Sequence, residues 1–398
     1  MSPSGNTARP GPAGGRDIRI DLFRGLAMFI ILIDHIPGNA WGRWTIGRFT
    51  FSDATEIFVF CSGMASALSF GRTFERAGWP MGAARTAYRI WQLYWAHIGL
   101  FIFVAMMMAA FDLIGAVDKS YVGRLNLWPF FDDPIPQIVG LFTLTYVPNY
   151  FDILPMYLGI LALMPVIVAL ARVHPRLAMG ASAGLWLACN FGFLGLPAEP
   201  WSDREWFFNP FGWQLLFFTG FAFLAGWLPA PPVRRGLVWG AVGFLVLTSP
   251  LSSPHMVTLL KQLWMPAADW AMETYPKIFE FRRKTEFGIL RYLHFLALAY
   301  LAWVAVGPRG ARLSPSGHGV PARAWRGIVA VTARVGQQSL AIFVFSMALA
   351  PLIGFTLDLG GRTAASIALA NLAGLAALVG AAYGIGWVKS QPWKTPRA

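Results

Sequence analysis

The chain has 398 residues, of which 56% are hydrophobic and 13% are charged, and its formal net charge is +13. A soluble domain usually carries about 25% charged residues, so this composition excludes an ordinary soluble protein. Apolar runs of about 20 residues recur along the chain, and each is long enough to cross a hydrocarbon core of about 30 Å. The sequence predicts an all-α polytopic membrane bundle, whose excess of Lys and Arg sets the topology rather than binding nucleic acid.

The chain divides into two basic tails and one long apolar region. Residues 1–18 are rich in Gly, Pro and Arg, which predicts a flexible cytoplasmic tail. The apolar run that follows is longer than a signal peptide and lacks a small-residue cleavage site, so we expect it to be retained. Residues 19–388 are predicted to form a single integral-membrane domain, followed by a second cytoplasmic tail at 389–398.

Ten apolar runs are predicted to be membrane-spanning helices. They lie near residues 20–37, 54–70, 86–111, 154–171, 177–196, 211–229, 236–250, 289–307, 334–353 and 366–388. An eleventh apolar segment, IPQIVGLFTLTYV at 135–147, is short and bracketed by prolines. It is predicted to be re-entrant or interfacial rather than a full crossing.

The distribution of basic residues sets the predicted orientation. With the amino terminus inside and ten crossings, most Lys and Arg residues fall in cytoplasmic segments. A crossing at 135–147 would instead place the basic turn at 172–176 and the carboxyl-terminal tail outside, so both termini are predicted to be cytoplasmic. The outer loop at 251–288 mixes aromatic residues with both signs of charge, which suits an interfacial helix, a cap over an outer pocket or a solvated loop.

The first predicted span carries ionisable residues near both ends. Such residues are costly in a membrane and tend to line a cavity or a pathway. Arg24 lies toward the cytoplasmic end and His35 toward the outer end, eleven residues or about 16 Å apart and on nearly one face. Asp34 adjoins His35 in sequence and therefore points elsewhere on the helix. A structural, hydrogen-bonded role for His35 remains the alternative to a functional one.

The start of the second span, FSDATEIF, supplies two carboxylates. Ser52 is a plausible N-cap, and Asp53 in the first turn suits the helix dipole, so Asp53 is either a structural residue or a substrate-binding residue of the outer polar layer. Glu56 lies one turn deeper, at about the depth of His35. We rank Glu56 above Asp34 as the partner that orients the imidazole.

Further candidates lie on other spans. Arg291 and His294 are spaced i, i+3 near the outer end of the eighth span, although Arg291 could also snorkel to the interface. Asp152 begins the fourth span, and Trp213 follows an Asn-Pro helix start where it could line the cavity. Of the remaining cytoplasmic arginines, Arg89 is the deepest. No metal, nucleotide or redox motif is present in the sequence, so no metal is predicted.

Several segments carry a resemblance to a known family. RDIRIDLFRGLAMFIILIDHIPGN at 16–39, followed by FSDATEIFVFCSG at 51–63, resembles the OpgC family, within the superfamily of membrane acyltransferases called acyltransferase family three. Matching segments follow in order as Tyr-Arg-Ile-Trp…His-Ile at 88–98, LTYVPNYFDILPMY at 144–157, FNPFGWQLLFFTG at 208–220, LRYLHFLALAYL at 290–301 and GQQSLAIFVFS at 336–346. The resemblance runs from about residue 16 to residue 388.

The resemblance implies an integral enzyme of the bacterial inner membrane that O-acylates a glycan. Its typical reaction is the transfer of succinyl from succinyl-CoA, a co-substrate, to osmoregulated periplasmic glucans. By position, His35 would be the catalytic base and Arg24 a ligand of the coenzyme A phosphates, with Arg89 beside it. From their predicted depth beside His35, and not from the resemblance, Glu56 would fix the tautomer of His35 and Arg291 would bind the distal carboxylate of succinyl.

Alternatives remain open at this stage. An acetyl group could be transferred instead, or another cell-envelope polysaccharide could be the acceptor. A transporter or flippase would also use buried ionisable residues, but the inverted repeats and paired broken helices expected there are not visible in the sequence. The oligomeric state is undetermined, with a homodimer as one option.

Overall fold

The computed structural model describes residues 17–394. Over this range the chain is helical, and its only β pairing is an isolated bridge between Pro197 and Glu205. Of the two predicted tails, residues 1–16 and 395–398 lie outside the described residues. The last helix continues into the second predicted tail as far as Ser390.

Long helices alternate with short connecting ones. Within residues 17–394, the α-helices in chain order are α1 Ile18–His35, α2 Ala54–Ser66, α3 Arg72–Ile114, α4 Tyr121–Arg124, α5 Trp128–Asp132, α6 Pro134–Thr143, α7 Ile153–Val173, α8 Pro175–Asn190, α9 Pro210–Leu224, α10 Arg235–Thr248, α11 Pro254–Leu263, α12 Met265–Lys277, α13 Ile289–Val306, α14 Val320–Gln337, α15 Ser339–Gly360 and α16 Ala364–Ser390. A π-helical turn at Ala67–Gly71 joins α2 to α3. Short 3-10 helices cover Ala40–Trp44, Ile46–Arg48, Ser249–Leu251, Glu280–Arg282 and Pro308–Leu313.

The predicted all-helical class is confirmed, and the long apolar helices support a membrane protein, but length and composition support fewer crossings than ten. Five helical stretches of the described chain are long and apolar enough to cross a membrane: Ala54–Ile114, Ile153–Val173, Ile289–Val306, Ser339–Gly360 and Ala364–Ser390. A sixth would be the pair Arg235–Leu251 and Pro254–Leu263, which are bent by 93°. Helix α1 is not among them, and its several charged residues raise the cost of burying it in hydrocarbon.

Some helix boundaries differ from the predicted ones for local reasons. Helix α3 begins at Arg72 rather than near residue 86, with a kink at Gly78, where φ is +84°, two residues before Pro80. The predicted span at 334–353 is broken at Gln338, where α14 ends and α15 begins. The segment at 135–147 forms only the ten-residue helix α6, about 15 Å long and too short to cross.

Helix α1 lies at the centre of the bundle, against α2, α14, α15 and α16. Its contact with α14 is backbone to backbone, because a Cβ atom on Gly336 would lie 1.8 Å from the carbonyl oxygen of Asp21. The α2–α9 contact is equally close, since a Cβ on Gly63 would lie 1.9 Å from the carbonyl oxygen of Phe217. Small residues at such contacts are typical of membrane helix packing. They fix α1 and α2, which carry His35 and Glu56.

Candidate active site

His35 is the last residue of α1, which ends there because Ile36 is extended ahead of Pro37. Its Nδ1 lies 2.8 Å from the carbonyl oxygen of Ile31. A carbonyl oxygen only accepts, so Nδ1 carries the proton and the neutral ring keeps a lone pair on Nε2. The ring also contacts Tyr150 edge-on, with centroids 5.5 Å apart. The backbone of α1 therefore sets the tautomer that a general base needs.

His35 lines a cavity of about 370 Å³, within the size range of small-molecule sites. We call it the His35 cavity. Its walls come from the end of α1, the loop before α2, the starts of α2 and α7, the segment before α9, one lysine and α15: Ile31, Asp34, His35, Thr45, Gly47, Arg48, Asp53, Ala54, Thr55, Tyr150, Asp152, Ile153, Phe207, Phe208, Lys284, Phe343 and Met347. Three carboxylates and two cations thus share one small space with the imidazole.

Asp34 lines this cavity together with His35, so the expectation that it points elsewhere is wrong. The reason is the loop that follows α1, which folds back over the end of the helix. Thr45 Oγ1 in that loop donates to Asp34 Oδ1 at 2.7 Å. The same loop carries Arg48, whose Nε donates to the carbonyl oxygen of Gly42 at 3.2 Å.

The start of α2 is a capping box in which Asp53, and not Ser52, is the N-cap. Asp53 accepts from the Thr55 N–H at 2.8 Å, and its own N–H donates to Glu56 Oε2 at 2.7 Å. Lys284 Nζ donates to the second oxygen of Asp53. Burial by itself raises the pKa of Asp53, but the charges of Lys284 and Arg291 outweigh it and hold that pKa well below its usual range.

The expected contact between Glu56 and His35 is wrong. Glu56 is fully buried, and Arg291 Nη1 donates to its Oε1 at 2.5 Å, while its Oε2 closes the capping box. Both carboxylate oxygens are therefore occupied. His35 is oriented by a backbone carbonyl instead, as described above.

Arg291 and His294 share a face of α13, as predicted, but neither lines the His35 cavity. Arg291 is paired with Glu56. His294 Nδ1 lies 3.1 Å from Ser52 Oγ, and His294 and Ser52 are both fully buried. Their contacts dock α13 onto the start of α2. Arg291 and His294 therefore influence the cavity through Glu56 and Ser52, which lie next to it, rather than by direct contact.

Trp213 is also outside the cavity lining, while Asp152 is part of it. The Trp213 Nε1–H donates to the carbonyl oxygen of Lys284 at 2.9 Å, so this ring holds the lysine segment in place. Asp152 accepts from the Phe207 N–H at 3.3 Å. Burial raises the pKa of Asp152 to about 6, although that hydrogen bond and the charge of Arg204 oppose the change.

The turn after His35 is anchored by the last two helices. The side-chain amides of Asn39 and Asn371 bond each other reciprocally, at 2.8 and 2.9 Å. Arg362 Nη1 donates to the Pro37 carbonyl oxygen at 2.7 Å, and its Nε donates to Asp358 at 2.8 Å. The end of α1 is thereby fixed to α15 and α16.

Arg24 lies at the opposite end of α1, eleven residues or about 16 Å from His35. One of its terminal nitrogens donates to Ser339 Oγ, and its buried Nε has no hydrogen-bond partner among the described residues. Arg89 lies near enough for the two positive charges to act on each other, and donates to Gln92 Oε1 at 3.0 Å. The structure thus brings Arg24 and Arg89 to the same end, as predicted, and the buried Asp21, one turn before Arg24, acts on Arg24 with the opposite charge.

Four residues of the site were missed in the sequence. Arg48, Tyr150 and Lys284 line the cavity, and Asn371 anchors its edge. Tyr150 lies in a turn with φ +87°, and its Oη donates to the Met347 carbonyl oxygen at 2.6 Å. The turn residues Pro-Asn before Tyr150 were a usable signal, whereas Lys284 lies among several similar charges in its loop.

Over residues 17–394, no group of three or more His, Cys, Asp and Glu side chains is arranged to hold a metal ion. The fold and the site define an all-helical membrane protein with a cavity of ionisable residues at one end of a central helix. The model of the OpgC family matches residues 16–390, and the chain therefore belongs to that family. Membership implies an acyltransferase-type function on glucans. Neither a curated protein nor a solved structure matches the chain.

Proposed function

We propose that this protein is an O-acyltransferase of the bacterial inner membrane that moves succinyl from cytoplasmic succinyl-CoA to a hydroxyl of a periplasmic glucan. The observation that carries the proposal is His35, held by the Ile31 carbonyl in the tautomer with a free Nε2 and facing a polar cavity. The proposed topology has about ten crossings and both termini in the cytoplasm. The His35 cavity then faces the periplasm, where the glucan is.

The chemical step is general-base catalysis. The glucan hydroxyl oxygen attacks the thioester carbonyl carbon while His35 Nε2 takes the hydroxyl proton. The tetrahedral intermediate collapses to the ester, and the coenzyme A thiolate leaves and takes the proton back from the imidazolium. Asp34 and Asp53, which line the same cavity, would stabilise the imidazolium in the role first given to Glu56.

The donor would reach this cavity from the Arg24 end. Arg24 and Arg89 offer positive charge for the coenzyme A phosphates, and a pantetheine arm could cover the distance of about 16 Å to His35. The lack of a partner for Arg24 Nε supports an anionic ligand there.

A dicarboxylic acyl group is favoured over acetyl by the cations of the cavity. Arg291 is paired with buried Glu56 and is not available for the succinyl carboxylate. Lys284 is paired with Asp53, whereas Arg48 uses only its Nε in a hydrogen bond to the backbone. Arg48 is therefore the better candidate for the distal carboxylate, through its two terminal nitrogens.

The test uses purified protein in lipid nanodiscs with radiolabelled succinyl-CoA and periplasmic glucan. Wild type should label the glucan, and His35→Ala should lower kcat by about 10²- to 10⁴-fold, the usual contribution of a general base. His318→Ala, at an exposed histidine, is the matched control and should behave as wild type.

Two results would count against the proposal. Label transfer that survives His35→Ala would reject the histidine as base while leaving the enzyme. A wild type that transfers neither succinyl nor acetyl would favour the transporter alternative.

A further inference from the structure

Three aromatic side chains form a cluster beside the His35 cavity, which we call the aromatic platform: Trp44, Phe49 and His255. The Trp44 and Phe49 rings are stacked at 6.2 Å with an interplanar angle of 30°. His255 meets both rings edge-on, at 6.1 and 6.0 Å. Trp44 is nevertheless 71% exposed. Phe49 and His255 therefore hold the Trp44 indole in place, while most of its surface remains accessible to solvent.

The platform and the cavity are built from the same short segment of chain. Thr45, Gly47 and Arg48 line the cavity, and Trp44 is the residue immediately before them, with neighbouring Cα atoms about 3.8 Å apart. Ser252 and Ser253 each donate from Oγ to the Arg48 carbonyl oxygen, at 3.0 and 2.6 Å. These bonds tie the segment that carries His255 to the loop that carries Trp44.

We infer that the aromatic platform binds a sugar ring of the acceptor glucan, next to the ring whose hydroxyl enters the His35 cavity. This inference rests on the proposed function. A pyranose ring presents C–H groups on its face and hydroxyls around its edge. The C–H groups pack against the electron-rich face of an indole, and the hydroxyls remain free to bond polar groups such as Arg48. A platform beside a polar cavity matches a chain of linked sugars, of which one ring reacts and a neighbour is held.

The main structural alternative is the belt of Trp and Tyr that anchors membrane proteins at the interface. Trp264 provides the comparison, because it is 65% exposed and lies, like His255, in the long segment between α10 and α13. Among the described residues, Trp264 has no ring partner and does not line the cavity, whereas Trp44 has two ring partners and adjoins a lining residue. An anchoring role would make the two tryptophans equivalent, and a glucan site would not.

The experiment measures binding and transfer separately, with full-length protein in nanodiscs. Equilibrium dialysis with tritiated periplasmic glucan and no donor should show binding to wild type and about tenfold weaker binding to Trp44→Ala. Trp44→Phe should keep most of the affinity, and Trp264→Ala should match wild type. In the transfer assay, Trp44→Ala should raise KM for glucan by a similar factor and leave kcat and KM for succinyl-CoA unchanged.

Three results would overturn the inference. They are wild-type affinity in Trp44→Ala, an equal loss in Trp264→Ala, and wild type that binds no glucan. The two proposals fail in different ways. Transfer by wild type with an unaffected Trp44→Ala rejects only the platform, while glucan binding that depends on Trp44 without any transfer rejects only the reaction.

Discussion

At the His35 end of α1 the carboxylates that line the cavity and Lys284 bond protein partners, and the exposed Arg48 keeps its terminal nitrogens for a ligand, whereas at the Arg24 end a guanidinium is only partly satisfied. Asp34 bonds Thr45, Asp53 bonds Lys284, and Glu56, just behind the cavity, bonds Arg291. Among residues 17–394, the Arg24 side chain bonds Ser339, and its buried Nε has no partner.

The difference agrees with the roles proposed for the two ends. Charged groups that are held by protein partners keep a reacting group in a fixed geometry before any substrate arrives. A cation inside a membrane protein that is only partly satisfied is costly, and an anion relieves that cost. These properties fit the proposed reaction site at the His35 end and the proposed binding site for a charged ligand at the Arg24 end.

The largest effect is expected from removing one charge of the buried Glu56–Arg291 pair, next to the His35 cavity. Glu56→Gln keeps the capping box, because Gln can also close it, but leaves Arg291 buried without its counter-charge. We expect the free energy of unfolding to fall by about 3–5 kcal/mol, the usual cost of removing one member of a buried pair. Reversible unfolding in mixed micelles would measure it.

The control is Glu280→Gln, which removes a carboxylate that is 68% exposed from an Arg–Glu pair on the surface. It should cost less than about 1 kcal/mol. Equal, small losses in both variants would mean that the Glu56–Arg291 pair contributes little to the fold.

An intermediate effect is expected at the Arg24 end, and it should appear in binding rather than in stability. Arg24→Met removes a cation on which the charges of Arg89 and Asp21 act in opposite directions, so the ligand-free protein should unfold at about the same free energy. KM for succinyl-CoA should rise by about 10- to 100-fold, as for a lost hydrogen bond to a charged group.

Arg76→Met, at an exposed arginine near the start of α3, is the control for general loss of positive charge. This variant should change neither the free energy of unfolding nor KM for succinyl-CoA. A lower stability of Arg24→Met with an unchanged KM would show that Arg24 is a structural residue, and the contrast between the two ends would then be lost.

The sequence was sufficient for the features that depend on one helix. The spacing of Arg24 and His35 on one face of α1 follows from helical periodicity, and the cap at the start of α2 was recognisable to within one residue. The membrane class followed from composition alone. These features need only the local chain and the solvent around it.

Features that depend on how distant helices dock could not be predicted. The Glu56–Arg291 pair joins residues 235 positions apart, and nothing in FSDATEIF indicates that α13 rather than α1 supplies the partner. The predicted ten crossings include α1, which carries several charged residues, and α9, which has 15 residues, so neither has the length and apolarity of the five spanning stretches of the described chain. The break at Gln338 likewise divides the predicted span at 334–353 between two helices, α14 and α15.

The smallest effect should be a pH dependence at the His35 end. Burial raises the pKa of Asp152 in the folded protein to about 6, against about 3.9 in an unfolded chain. The folded state therefore binds the Asp152 proton more tightly than the unfolded chain does. The stability that this proton contributes is complete below pH 4 and is lost as the pH rises through 6. Between pH 5 and pH 8 the free energy of unfolding of wild type should fall by about 1 kcal/mol relative to Asp152→Asn, which has no carboxyl to titrate. Unfolding of the two proteins at both pH values measures this difference directly. A constant difference would show that the Asp152 carboxyl does not titrate in the folded protein between pH 5 and pH 8.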